Sequence, residues 1–230
     1  LREQIKSDAF GPNAGKLFGQ VGQFVTYCDR ATRDTGNDVD GWWRIRYPED
    51  CDGGLVAEQE PFDSSVILAK EQAMLDVIRA ELDEGRNVLV FGYNAEVLPR
   101  LRRIIQEQLH EPCALLLASD EGTKEEKKAR RKRLPGEGPV AKKQPRDRSD
   151  WVRDEVAGQG IRVMVVNSTA VQVGLNALAH FNSIWWGQDP ACNPIGFRQA
   201  NGRIDRPGQK KPTRIYFPVY ANTAQAAIKA

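Results

Sequence analysis

The chain has 230 residues, 40% of them hydrophobic and 28% charged, with a net charge of +2 and a mean hydropathy of -0.53. These values suit one sizeable α/β domain carrying polar segments. They exclude a strongly basic or acidic chain whose net charge alone would name its partner. No apolar run approaches the roughly 20 residues that span a bilayer, so no membrane partner is expected. Leu1 to Lys6 lack the apolar core of a signal peptide, which predicts a cytoplasmic location. Cys28, Cys51, Cys113 and Cys192 form no Cys-x-x-Cys pair, and His110 and His180 are near none of them in sequence. Neither a disulfide framework nor a bound metal is expected.

Residues 1–62 read as a linker and irregular appendage, with loop signals at Gly11-Pro12 and a possible helix over 16–31. Trp42 and Trp43 interrupt a stretch rich in Asp, Gly and Pro, and are expected to pack within the appendage. Residues 63–230 read as one domain. Met74, Leu75, Ile78 and Leu82 share one side of a helix over 71–82, stopped by Gly85. A short apolar strand follows over 87–92, then a helix over 95–109 and a second strand over 113–118. Residues 120–149 predict a disordered loop, rich in Pro, Gly and basic residues. A helix over 151–157, strands over 161–166 and 183–186, a helix over 194–205, a strand over 213–219 and a short helix over 223–229 complete the chain. This alternation predicts a parallel sheet with helices on both faces. Trp185 and Trp186 are expected in its core, and His180 is expected to be structural.

The basic block includes Lys127, Lys128, Arg130 and Arg131. Local positive charge inside a near-neutral chain is a candidate contact for nucleic-acid phosphates. The most informative run is Gln199-Ala200-Asn201-Gly202-Arg203-Ile204-Asp205-Arg206-Pro207-Gly208-Gln209. On a helix Gln199, Arg203 and Arg206 fall at i, i+4 and i+7 and share a face. Gly202 flanks that face and permits close approach of a ligand. Two guanidiniums and an amide there suit the oxygens of a polyphosphate.

This run resembles motif VI of the Swi/Snf-like branch of superfamily-two helicases. Asp189-Pro190-Ala191-Cys192-Asn193-Pro194 is similar to the Asp-Pro-x-x-Asn-Pro that precedes it there. Ser168 to Asn176, with Gly174-Leu175-Asn176, resembles motif V, and 87–91 with Gly92-Tyr93-Asn94 resembles motif IV. Pro207, Ala177-Leu178 and the segment after Ala118 depart from the branch's usual pattern, pointing to a bacterial or phage-type relative.

The resemblance implies a RecA-like fold and the C-terminal lobe of an ATP-dependent helicase or translocase. Residues 1–62 would then lead from the preceding lobe. Arg203 and Arg206 match arginines that reach ATP bound on the other lobe, and Gln199 matches the glutamine supporting them. Gly174 and Asn176, with Gly202, match positions near the nucleotide. Ser168, Thr169 and Asn94 stand where the lobe meets the phosphates of the tracked strand, with DNA expected rather than RNA. The sequence has no Gly-x-x-x-x-Gly-Lys-Ser/Thr loop and no acidic box for magnesium. ATP and its Mg2+ would therefore be held by an N-terminal RecA-like lobe, and this chain alone is expected to be inactive. The alternative is a non-catalytic RecA-like module that only binds nucleic acid or protein.

Overall fold

The computed structural model describes residues 29, 41–46, 54–117, 138–139, 145–172, 175, 177–188, 194–223 and 225–226. The chain divides into two compact units, residues 67–218 and residues 1–66 together with 219–230.

In the unit containing the N-terminus, β1 (Trp43–Arg46) pairs antiparallel with β2 (Leu55–Gln59), placing Trp43 opposite Gln59 and Ile45 opposite Ala57. Trp43 and Ile45 are buried while Arg44 and Arg46 are not, the period of two that a half-buried strand requires. Arg44 meets Glu58 across the pair at 3.2 Å, and its guanidinium lies 5.2 Å from the centre of the Trp42 ring. The sequence reading expects no strands in this appendage. The alternation is only four residues long, and the surrounding Asp, Gly and Pro hide it. Burial of Trp43 fits packing rather than base stacking.

The other unit contains, in order, α1 (Ala69–Asp83), β3 (Val88–Gly92), α2 (Leu98–Leu109), β4 (Cys113–Leu116) and α3 (Pro145–Trp151). A π-helical turn (Val152–Ala157), β5 (Val163–Asn167), α4 (Ser168–Gln172), a 3-10 turn (Ala177–His180), β6 (Ser183–Trp186), α5 (Pro194–Asn201) and β7 (Arg214–Tyr216) follow. The sheet order is β4-β5-β3-β6-β7, and every neighbouring pair is parallel.

Parallel strands covered on both faces need apolar side chains at every position, so β3 reads Val-Leu-Val-Phe-Gly and is buried throughout. Val88, Val90, Leu115, Val163, Val165 and Trp185 turn to one face, under Met74, Leu75 and Ile78 of α1 and Leu101, Ile104 and Ile105 of α2. Leu89, Phe91, Leu116, Met164, Val166 and Trp186 turn to the other. That face is covered by Val152 and Val156 of the π-helical turn, Ala170 and Val171 of α4, and Ala200 of α5. This is the expected α/β sheet with helices on both faces, and Trp185 and Trp186 lie in its core.

Several boundaries move for local reasons. Gly85, at φ +69°, ends α1 in the left-handed region that favours glycine. The second helix starts at Leu98 rather than 95, because Pro99, which lacks an N–H, is accommodated in a first turn. The loop expected over 120–149 is shorter at its C-terminal end. Gly138 and Pro139 lie on the edge of β4, where Pro139 O accepts the Leu115 N–H at 2.9 Å, and helix α3 begins at Pro145. Lys127, Lys128, Arg130, Arg131 and the helix expected over 16–31 lie outside the described residues. Among the described residues no helix is long and apolar enough to cross a membrane.

Candidate functional site

The run from Gln199 to Gln209 leaves the sheet through α5. Gly196, Ala200 and Ile204 are buried at four-residue spacing, so this side seats the segment on the core. Gln199 and Gly202 are exposed, and Arg203 and Arg206 are half-buried. The helix ends at Asn201, not at 205. Gly202 N still bonds Arg198 O at 3.0 Å, but Arg203 N bonds Ala200 O at 3.2 Å and Ile204 N bonds Asn201 O at 3.4 Å. The chain has tightened from i−4 to i−3 spacing. Both arginines therefore sit on turns beyond the helix, and the expected i, i+4, i+7 helical face is corrected to a helix end plus turns. Arg206 Nε donates to Gly202 O at 3.3 Å. Partial burial, and after it the charge of Arg206, lowers the Arg203 guanidinium from its ordinary value.

Residues that the sequence reading passed over hold this segment. Trp186 Nε1 donates to Asn201 Oδ1 at 2.9 Å. The Trp186 ring lies 4.9 Å from Phe197 of α5 and 4.9 Å from Phe91 of β3, measured between centroids. A buried indole needs an acceptor for its N–H, so Trp186 fixes both the height and the rotation of α5. After the arginines, Gly208 takes φ +100°, and Gln209 Nε2 donates to Phe181 O at 2.7 Å and to Ile204 O at 3.1 Å. Gln209 thus ties the arginine turn to the stretch leading into β6. Helix α4 packs against α5, bringing the motif V and motif VI segments side by side.

The carboxyl ends of β3, β5 and β6 form a second group of candidate residues. Asn167 ends β5 and accepts the Thr169 N–H at 2.9 Å and the Thr169 hydroxyl at 2.5 Å on Oδ1. Its Nδ2 donates to Tyr93 O at 2.9 Å, joining the loops after β5 and β3. Beyond β6, Gln188 Oε1 accepts the N–H groups of both Tyr93 and Asn94 at 2.9 Å. The structure thus gathers Asn94, Ser168 and Thr169 at one rim, together with Asn167 and Gln188, which sequence reasoning missed. Ser168 and Thr169 open a short helix directly after β5. Thr169 is exposed and Ser168 is 1% exposed. Among the described residues, Ser168 Oγ, Asn94 Nδ2 and Gln188 Nε2 are buried atoms without a hydrogen-bond partner. Gly174 and Asn176 lie outside the described residues.

The opposite rim holds the main buried charge cluster described. Glu81 of α1 accepts from Arg86 Nε at 2.7 Å, Arg214 Nη1 at 2.8 Å, Tyr216 OH at 2.7 Å and the Ser183 hydroxyl. Burial pushes the Glu81 carboxyl up, but the bonds from Ser183, Tyr216, Arg214 and Arg86 outweigh it and bring it down to about 2. His180 Nε2 lies 2.9 Å from Ile161 O, a structural contact. Burial pushes the Cys113 thiol up to about 12, so it is not poised as a nucleophile. Among the described residues no group of three or more His, Cys, Asp or Glu side chains could hold a metal ion.

No protein-family profile matches the chain, and no curated protein matches it. Solved structures do. The C-terminal part of the Fun30 ATPase domain superposes with a TM-score of 0.54 and 20% identity, covering 70% of this chain and 44% of that one. The Sulfolobus solfataricus SWI2/SNF2 ATPase core in complex with dsDNA gives a TM-score of 0.48 and 20% identity, covering 70% of this chain and 28% of that one. The chain spans less than half the length of either structure. What it shares with the C-terminal part of the Fun30 ATPase domain is the fold, a RecA-like parallel α/β sheet.

Proposed function

We propose that this chain is the second motor lobe of an ATP-driven nucleic-acid translocase of the Swi/Snf-like type. The observation that carries the reading is the seating of the motif VI segment. Gly196, Ala200 and Ile204 lock it into the core, while Gln199, Arg203 and Arg206 remain exposed or half-buried. A cationic pair on turns that Ile204 and Gln209 tie to the core, in a RecA-like lobe whose sequence has no phosphate-binding loop, suits a nucleotide supplied by another lobe.

ATP bound on that other lobe, with its Mg2+, would supply the free energy for movement. Arg203 and Arg206 would neutralise charge developing on the γ-phosphoryl oxygens, with Gln199 supporting them and Gly202 leaving room. Gly174 and Asn176 would lie near the same nucleotide. Ser168, Thr169 and Asn94 would meet the phosphates of the tracked strand, with Lys127, Lys128, Arg130 and Arg131 as further cationic contacts. DNA is the proposed track.

The test is Arg203→Ala in the full-length protein with nucleic acid present. ATP binding should be nearly retained, while turnover should fall by about 10³ to 10⁵, the worth of an arginine meeting transition-state charge. Arg203→Lys should not restore it fully, because an ammonium lacks the planar fork. Turnover within a few-fold of the parent would overturn the arginine assignment and favour a binding-only module. This chain alone should not hydrolyse ATP. A rate of about 1 per second or more from a clean preparation would refute the half-site reading.

A further inference from the structure

We propose that Gln188 and Asn94 form a two-amide clip for a phosphodiester of the tracked strand; this rests on the nucleic-acid reading above and adds Gln188 to it. Gln188 is 1% exposed and sits just beyond β6. Its orientation is set by the two N–H groups, of Tyr93 and Asn94, that Oε1 accepts at 2.9 Å. An oxygen must face two donors, so the NH2 group is the other end of the amide. That end has no partner among the described residues, and neither has the Asn94 NH2 group.

Both amides belong to one junction, because Gln188 bonds the backbone of Asn94 itself. Glycine keeps the junction open. A Cβ on Gly92 would lie 3.3 Å from Gln188 Oε1 and would overlap Leu98. The backbone of Tyr93 is pinned at N by Gln188 and at O by Asn167, while its side chain is 41% exposed. Both donors are buried, and Tyr93, next in sequence to Asn94, is exposed.

A ligand for this junction must bring acceptors rather than donors. An unpaired buried amide destabilises the fold, so an acceptor that satisfies two of them gains accordingly. The sugar–phosphate backbone is acceptor-rich, and neutral amides contact it without reading the bases. Ser168 Oγ, also unpaired among the described residues, follows β5 on the same rim and would serve the same strand.

The test uses this 230-residue chain and fluorescein-labelled single- and double-stranded DNA oligonucleotides, read by anisotropy at low salt. Gln188→Glu keeps an acceptor for the Tyr93 and Asn94 N–H groups but replaces the donor with an anion. It should fold normally and weaken binding about ten-fold or more, as loss of a bond to a charged group predicts. The loss should be the same for unrelated base sequences. Asn94→Ala should give a smaller loss in the same direction and keeps the test decisive should Gln188→Glu not fold. Parental affinity in a folded Gln188→Glu, or in Asn94→Ala if that variant alone folds, would overturn the clip and assign the donors to buried water. Displacement of the oligonucleotide by ADP or inorganic phosphate at equal potency in parent and variant would also overturn it. If the parent chain fails to bind either oligonucleotide, the nucleic-acid reading falls together with the clip. If the parent binds and the folded variants bind equally, only the clip falls.

Discussion

The two rims of one parallel sheet treat their polar groups in opposite ways. Where β6 and β7 begin, Glu81 takes four donors, and Arg86 also reaches Asn182 O at 2.8 Å. One hydroxyl at that rim, Thr213 Oγ1, is unpaired among the described residues. Where β3, β5 and β6 end, three side chains from three connections carry unpaired atoms: Asn94, Ser168 and Gln188. Each such atom costs folding free energy until water or a ligand satisfies it. The same rim is where ligands approach open α/β sheets. One rim thus satisfies its buried polar side chains within the fold, and the other leaves the donors on which the proposed contact rests.

The largest expected effect that would break this comparison is at Glu81. Glu81→Ala strands the buried Arg86 guanidinium and should cost about 3–5 kcal/mol in urea unfolding. Ser168→Ala at the opposite rim should be neutral or slightly stabilising, since it removes an unsatisfied hydroxyl. Equal losses from the two variants would erase the distinction.

Acid should sharpen the comparison. Glu81 is held at about 2 in the fold against an ordinary value of 4.5. A depressed carboxyl stabilises the fold above its unfolded value, and that contribution is lost as pH falls from about 4.5 towards 2. Melting temperature should drop across this window, and Glu81→Gln should flatten the drop. A slope unchanged in Glu81→Gln would place the acid sensitivity elsewhere.

Asn201→Ala should have a smaller effect, about 1–3 kcal/mol, because it orphans the Trp186 indole N–H. In the full-length protein it should also lower ATP turnover by letting the arginine turn shift, while oligonucleotide affinity stays near parental. Loss of affinity with intact turnover would reverse the assignment of the two regions.

The strands and their order of use were legible because buried parallel strands are written as unbroken apolar runs, as in 87–92 and 161–166. Glu81 was legible in principle. It falls three residues after Ile78 and seven after Met74, on the apolar side of its helix, which marks a carboxylate that must be paired. The end of α5 was not legible, because Gly202 permits continuation or a tighter turn equally and only the observed bonds decide. Gln188 carries no periodic signal, since its role depends on two N–H groups from a loop far away in sequence. Asn94, Ser168 and Thr169, proposed for strand contact, came from a resemblance to motifs. Their gathering at one rim follows from β3 lying between β5 and β6.

The edge of β4 bears on how this fold tolerates change. Arg102 donates to both Cys113 O at 2.8 Å and Gly138 O at 2.6 Å, and a side chain at Gly138 would collide with the backbone of Cys113. Pro139 O accepts the Leu115 N–H, and proline has no N–H of its own to offer a further strand. Leu115 and Pro139 therefore meet at this edge although they are far apart in sequence. The two points act as a socket: what is inserted between them can lengthen, shorten or change its charge at a closure cost that rises only slowly with length. Both rims would keep their geometry through such exchanges, which makes this edge the place to graft a new binding segment onto the fold.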